Sequence, residues 1–118
     1  MATAKELMLE GKYADAAEIL KRLAEKGDTE AQYHLAVCYY YGKGVEMNIP
    51  EAIEWYRKAA DRGHANAQCN LGICYEFGLG VNKDLSKAAY WYRKAAEQGN
   101  DIAKKALNKL QSDTRGNN

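Results

Sequence analysis

Residues 55–60 read WYRKAA, and residues 91–96 read WYRKAA again, 36 positions on. A repeated hexapeptide of this kind has three readings: a ligand cassette used in duplicate, a basic-aromatic patch for nucleic acid, or one side of a helix that packs the same way in two successive units. Its surroundings decide. Laid over each other without a gap, residues 27–62 and 63–98 also share Gly27/Gly63, Ala31/Ala67, Gln32/Gln68, Leu35/Leu71, Cys38/Cys74, Tyr39/Tyr75, Gly42/Gly78, Gly44/Gly80, Val45/Val81 and Ala52/Ala88. These are mostly glycines, alanines, aromatics and aliphatics, the types that set backbone shape and packing distance, so the period is structural.

Within each unit the pattern is helical. Ala31, Leu35, Cys38 and Tyr39 form an apolar stripe at three- and four-residue spacing, which predicts a first helix, A, over 29–41. Asp28 and Asn100 suit its N-cap, His64 stands at the same place as a weaker choice, and Gly27, Gly63 and Gly99 suit left-handed stops on the preceding helices. A second helix, B, is expected from Pro50 to Arg62, with Asn48 or Asp84 as N-cap and Glu51 completing a capping box. Along it Ala52, Trp55 or Tyr56, and Ala59 alternate small with large, as do Ala88, Trp91 and Ala95, so a neighbouring helix approaches at the alanines and is gripped by the rings. WYRKAA is thus mainly a packing device; the two rings point to different sides, so only part of the pair is expected to be deeply buried. Arg57, Lys58, Arg93 and Lys94 fall on the solvated side, where cations also suit the helix dipole.

Between the helices stand GKGVEMN and GLGVNKD, whose paired glycines permit positive φ while Val45 or Val81 tucks back as a plug. Neither has the Lys-Ser or Lys-Thr of a phosphate-binding loop, nor a strand before it. The third register keeps Ala103 and Leu107 but replaces the tyrosine by Gln111 and turns polar at Lys104, Lys105, Asn108 and Lys109, the behaviour of a capping helix. The expected organisation is one all-α domain over 1–111: a first unit at 1–26, repeats at 27–62 and 63–98, a capping helix at 99–111, and a flexible tail at 112–118.

At 118 residues, 47% apolar and 28% charged, the chain has the length and balance of one globular domain. A net charge of +1 points to neither nucleic acid nor an anionic membrane. No apolar run is long enough to span a bilayer, and the amino end, MATAKELMLEGKY, lacks a secretory signal's apolar core. Three cysteines favour a reducing compartment; the compartment stays open, with the cytoplasm favoured. No catalytic, metal or cofactor site is expected: His34 and His64 are far apart in sequence, Cys69 and Cys74 fall on different sides of one helix, and Glu51 and Glu54 have no opposing carboxylate.

The pattern carried by Ala31, Leu35, Ala36, Tyr39, Gly42, Gly44, Val45, Ala52, Trp55, Tyr56, Arg57, Lys58, Ala59, Ala60 and Gly63 returns as Ala67, Leu71, Gly72, Tyr75, Gly78, Gly80, Val81, Ala88, Trp91, Tyr92, Arg93, Lys94, Ala95, Ala96 and Gly99. It resembles the Sel1-like repeat family, relatives of the tetratricopeptide repeat. Ala36 departs from the usual glycine, a change that a slightly wider helix contact absorbs. Residues 1–26, with Ala4, Leu7, Gly11, Tyr13, Ala16, Leu20, Leu23 and Ala24, look like the shorter tetratricopeptide unit, with a tight turn at Gly11-Lys12. Either the chain is an excerpt of a longer array or its first helix is frayed. The resemblance implies an α-solenoid whose A helices line a concave face, in scaffolds and adaptors that hold a peptide or another protein. It places Glu30, Tyr33, Val37, Tyr40 and Tyr41 on that face, then Asn66, Cys69, Ile73, Glu76 and Phe77, then Ile102, Lys105 and Lys109. The tyrosines suit recognition, offering area at small entropic cost. Tyr41 and Phe77, each just before a loop glycine, have the alternative of covering the solenoid's own helix ends. Glu30 and Glu76 on the same face argue against stacked nucleic-acid bases. The rival role is architectural, an array packing end to end with itself or with a flanking domain.

Overall fold

The computed structural model describes residues 2–116, all of whose regular structure is helical. The elements are α1 (Ala4–Leu9), α2 (Tyr13–Glu25), α3 (Thr29–Tyr41), α4 (Ile49–Asp61), α5 (Ala65–Phe77), α6 (Leu85–Glu97) and α7 (Asp101–Gly116). Each packs on the next in chain order, and α5 also meets α7 directly. The result is an elongated stack, 56 × 26 × 24 Å, in which α1, α3, α5 and α7 are the A helices and α2, α4 and α6 the B helices. Among the described residues no helix is long and apolar enough to cross a membrane.

The helix limits follow from their caps. Asp28 Oδ1 accepts the Ala31 amide at 2.8 Å, Asn48 Oδ1 that of Glu51 at 3.1 Å, Asp84 Oδ1 that of Lys87 at 3.1 Å and Asn100 Oδ1 that of Ala103 at 2.9 Å. The capping box at Asn48 is only half formed. Its amide donates to the Tyr39 carbonyl at 2.8 Å, which frees the Glu51 carboxylate to accept the Trp55 indole N–H at 3.2 Å. α7 continues to Gly116, past the boundary at 111, so residues 112–116 of the expected tail are helical and residues 117–118 lie outside the described residues.

The two long loops share one conformation. Gly44 and Gly80 sit at φ 75° and 74°, in the left-handed region, and each lies against the start of the preceding B helix. A methyl group on Gly44 would run into the Tyr13 carbonyl, and one on Gly80 into Ile49 Cγ2; Tyr13 and Ile49 open α2 and α4. Val45 and Val81 pack half-buried against the core, the plugs that the sequence implies.

The repeat positions form the interior. Ala31, Leu35, Ala52, Ala59, Ala67, Leu71, Ala88 and Ala95 are all buried, with Tyr75 beside them and Tyr39 half-buried. In WYRKAA the tyrosine goes deepest: Tyr56 is 2% exposed and Tyr92 1%, against 9% for Trp55 and an intermediate Trp91. The tryptophans also differ in surroundings. Trp55 is bonded to Glu51 and lies under the Lys58 ammonium at 4.3 Å, whereas position 87 is lysine and Trp91 instead meets the edge of Tyr90 at 5.0 Å.

A polar ladder ties the units together. Gln32 Nε2 donates to the Ala24 carbonyl at 3.2 Å, and Gln68 Nε2 to that of Ala60 at 3.1 Å, so each A helix is bonded to the end of the B helix before it. Gln98 then donates to Gln68 Oε1 at 2.9 Å. Its counterpart is Arg62, and Gln32 Oε1 stays buried without a hydrogen-bond partner among the described residues.

Candidate functional site: the face of the A helices

The candidate face is built by α1, α3, α5 and α7, with B-helix side chains as its floor. Between α3 and α5 the floor is Tyr56. Its ring lies 6.0 Å from Tyr33 and 6.5 Å from Tyr40, and only a cleft of about 80 Å³ remains, bordered by Tyr41, Asn70, Ile73 and Cys74. Burial pushes the Tyr56 hydroxyl above its usual range, and Tyr33 and Tyr40 are raised for the same first reason.

Between α5 and α7 the floor is Tyr92. Its ring lies where a methyl group on Gly72 would stand, and its hydroxyl donates to Glu76 Oε1 at 2.6 Å. Burial first, then that carboxylate, raises the Tyr92 pKa. Glu76 is therefore half-buried and already bonded inside the protein.

Between α1 and α3 the equivalent floor residue is Leu20, 36 positions before Tyr56. Here, where α1 has six residues against the thirteen of α3 and α5 and the floor carries no ring, a groove of about 670 Å³ opens, walled by Ala4, Met8 and Leu9 of α1, Tyr13 of α2, and Glu30 and His34 of α3, with Lys5 and Lys43 on its rim. The same periodicity that exposes the packing positions marks Leu20, once it is carried back into residues 1–26.

Of the residues expected on this face, Tyr33 is half-buried and stacked on His64 at 4.5 Å, so much of its ring is used internally. Tyr40 is half-buried against Tyr56 and edge-on to Tyr41 at 4.9 Å. Val37 and Ile73 are half-buried; Glu30, Asn66, Ile102, Lys105 and Lys109 are exposed. Asn66 accepts a hydrogen bond from Asn100 at 3.0 Å. Cys69 is a correction. It is 3% exposed and clustered with Tyr92 and Ala103, because α7 lies directly on α5 and covers it. Tyr41 and Phe77 are each 63% exposed and Leu9 is 80% exposed; they are the last residues of α3, α5 and α1, one large apolar side chain on each of these three A helices.

Two contacts had no signal in the sequence. Arg57, placed on the solvated side, donates to the Tyr75 hydroxyl at 3.0 Å. His34 and His64, thirty positions apart, converge on one carboxylate: Glu30 Oε1 is 3.0 Å from His34 Nε2, and Oε2 is 2.9 Å from His64 Nε2. His64 Nδ1 accepts the Ala67 amide at 3.1 Å, so the residue is a working N-cap, its proton is on Nε2, and it donates to Glu30. That tautomer has no free lone pair for a metal. Among the described residues no group of three or more His, Cys, Asp or Glu side chains is arranged to hold one. The thiols are free and buried, and desolvation raises all three, Cys74 to about 11, which keeps them in the weakly nucleophilic protonated form.

Comparison with known proteins agrees with this architecture. The Sel1 repeat family matches over residues 29–64 and 65–100. Among solved structures, a Sel1 repeat protein from Oxalobacter formigenes is 39% identical with a TM-score of 0.89, over 94% of this chain and 46% of that one. A protective antigen of uropathogenic Escherichia coli with an SLR fold is 42% identical with a TM-score of 0.76, over 77% of this chain and 20% of that one. Cysteine rich protein B of Helicobacter pylori is 25% identical with a TM-score of 0.74, over 79% of this chain and 70% of that one. This chain thus spans less than half the length of the first two. No match is found among curated proteins. Repeats of this kind generally mediate protein–protein contacts through their concave face and are typically non-catalytic. The repeat match, the shared superhelical fold and the doubled loop and packing positions together make this chain a member of the Sel1 repeat family.

Proposed function

We propose that this chain is a scaffold or adaptor segment that holds a peptide or another protein on the face of its A helices. The observation that carries the reading is the row Leu9, Tyr41 and Phe77, exposed at the ends of three successive A helices, with Leu9 and Tyr41 bordering the two grooves. Large side chains left open at one position per repeat give a partner a regularly spaced apolar edge, and aromatic anchors of this kind dominate many interfaces. Interior packing does not account for them, since the residues that pack the stack are buried elsewhere.

The test is a pull-down and titration comparing the wild-type chain with Tyr41→Ala/Phe77→Ala and with Glu54→Ala, an exposed B-helix control. Partners should be lost with the double variant and kept with the control. Partners that survive the double variant but not the control would move the binding surface to the B helices and refute the reading. If the protein associates only with itself, a concentration-dependent rise in mass unaffected by the double variant favours the architectural role instead.

A further inference from the structure

We propose that the groove between α1 and α3 is the anchoring subsite for an acidic peptide segment, taking one bulky aliphatic side chain onto Leu20 while flanking carboxylates meet Lys5 and Lys43. This rests on the reading that the A-helix face binds a partner, and it names the chemistry that one part of the face selects.

The shape argument comes from the repeat. Successive B helices place Leu20, Tyr56 and Tyr92 at the same depth; above Tyr56 about 80 Å³ remains open, and above Leu20, beside the short α1, about 670 Å³. In the second place Tyr56, with Tyr33 and Tyr40, fills from within what the first leaves to an outside side chain. The opening, about 670 Å³, exceeds one aliphatic side chain and accommodates its neighbouring backbone as well. Met8 and Leu9 supply apolar walls, and Leu9 is 80% exposed without a partner on it.

The charge argument fixes the flanks. Four ionisable side chains besides Tyr13 border the groove: Lys5, Lys43, Glu30 and His34. Both oxygens of Glu30 are engaged, by His34 and His64, which holds this carboxylate in place and leaves two lysines to one carboxylate around the groove. Lys5 and Lys43 have no ion-pair partner among the described residues; the Lys43 ammonium lies 5.3 Å from the Tyr13 ring centroid, held over the groove's edge. Two unpaired ammonium groups over an apolar floor complement a sequence in which acidic residues flank an aliphatic one, and they oppose a basic one.

The experiment measures fluorescence anisotropy of a short synthetic peptide with one leucine between aspartates, against versions with lysines for the aspartates or alanine for the leucine, on the full chain. The leucine–aspartate peptide should bind best, and the other two about ten-fold or more weaker. Leu20→Tyr, which installs the filler used by the next repeat, should lower its affinity by about ten-fold as well. Lys5→Glu with Lys43→Glu should reverse the preference toward the lysine peptide. Should Leu20→Tyr disturb folding, judged by helical circular dichroism, the charge-reversed variant decides alone.

The proposal is overturned if the three peptides bind alike, if the acidic peptide does not bind, or if the groove variants leave its binding unchanged. Binding insensitive to the groove variants but lost in Tyr41→Ala/Phe77→Ala overturns the groove assignment and leaves the wider face reading intact; binding lost in neither overturns both. A dimer that forms with concentration and is abolished by Leu20→Tyr gives the groove to a second copy, which also overturns the peptide assignment.

Discussion

The grooves floored by Leu20 and by Tyr56 occupy equivalent places in successive helix pairs, yet one holds about 670 Å³ and the other about 80 Å³. The smaller floor side chain, the six-residue length of α1 against the thirteen of α3 and α5, and the Tyr33 and Tyr40 rings over Tyr56 together make that contrast. A tyrosine at this depth joins a ring cluster with Tyr33 and Tyr40 and turns the inter-helix space into core; a leucine stops short and leaves an apolar cleft with cations at its rim. In this solenoid the open space between A helices therefore varies from repeat to repeat, while Ala31/Ala67 and Leu35/Leu71 keep the helices at one spacing.

The largest expected effect separates filled from open pairs by alkali. Burial holds the hydroxyls of Tyr56 and Tyr92 well above the usual tyrosine range, and Glu76 adds to this for Tyr92. Above about pH 10 the unfolded chain releases those protons while the folded chain keeps them, so stability present below pH 10 is lost as pH rises. The loss is about 1.4 kcal/mol per pH unit for each ring. Urea unfolding at several alkaline pH values should show the slope, and Tyr56→Phe or Tyr92→Phe should each remove one ring's share. An unchanged slope in both variants would mean that these rings are not buried as described.

Next comes exchange of the floors. Tyr56→Leu should cost about 2 kcal/mol, the loss of a buried ring with partial collapse, and open a second groove. Leu20→Tyr enters existing space and should change stability by less than about 1 kcal/mol. Equal costs for the two, from urea midpoints, would break the comparison.

The polar ladder gives a smaller difference of the same kind. Gln68 is bonded at both ends of its amide, whereas Gln32 has a buried oxygen without a hydrogen-bond partner among the described residues. Gln68→Ala should therefore be more destabilising than Gln32→Ala by about 1 kcal/mol in the same assay. An effect of similar size is expected where α5 begins: His64→Ala removes an N-cap and a bond to Glu30, costing about 1 kcal/mol, while His64→Asn keeps the cap and should recover most of it. Failure of asparagine to recover stability would place the residue's importance in its Glu30 contact.

Helix limits, loop glycines and buried alanines were legible because each obeys a local rule. Thr29–Tyr41 follows from one apolar stripe between Asp28 and Gly42, and the loops from two glycines at fixed offsets. The surface was less legible. Cys69 was misplaced because its burial depends on α7, a helix more than thirty residues further along the chain. Tyr33 reads as a free recognition ring until His64 is seen stacked on it. In the hexapeptide, periodicity marked both rings but could not rank Tyr56 below Trp55, since depth depends on which A helix lies across it.

By itself the sequence determined a 36-residue beat of paired helices, since backbone shape at glycine and close approach at alanine are properties of single residues. Only the tertiary structure decided which side chains stay available: where Tyr56 closes one gap and Leu20 leaves another, where two histidines share Glu30, and where Leu9, Tyr41 and Phe77 remain uncovered. The physical reason is that exposure belongs to the neighbours of a residue, and in a stacked array those neighbours come from the units before and after its own.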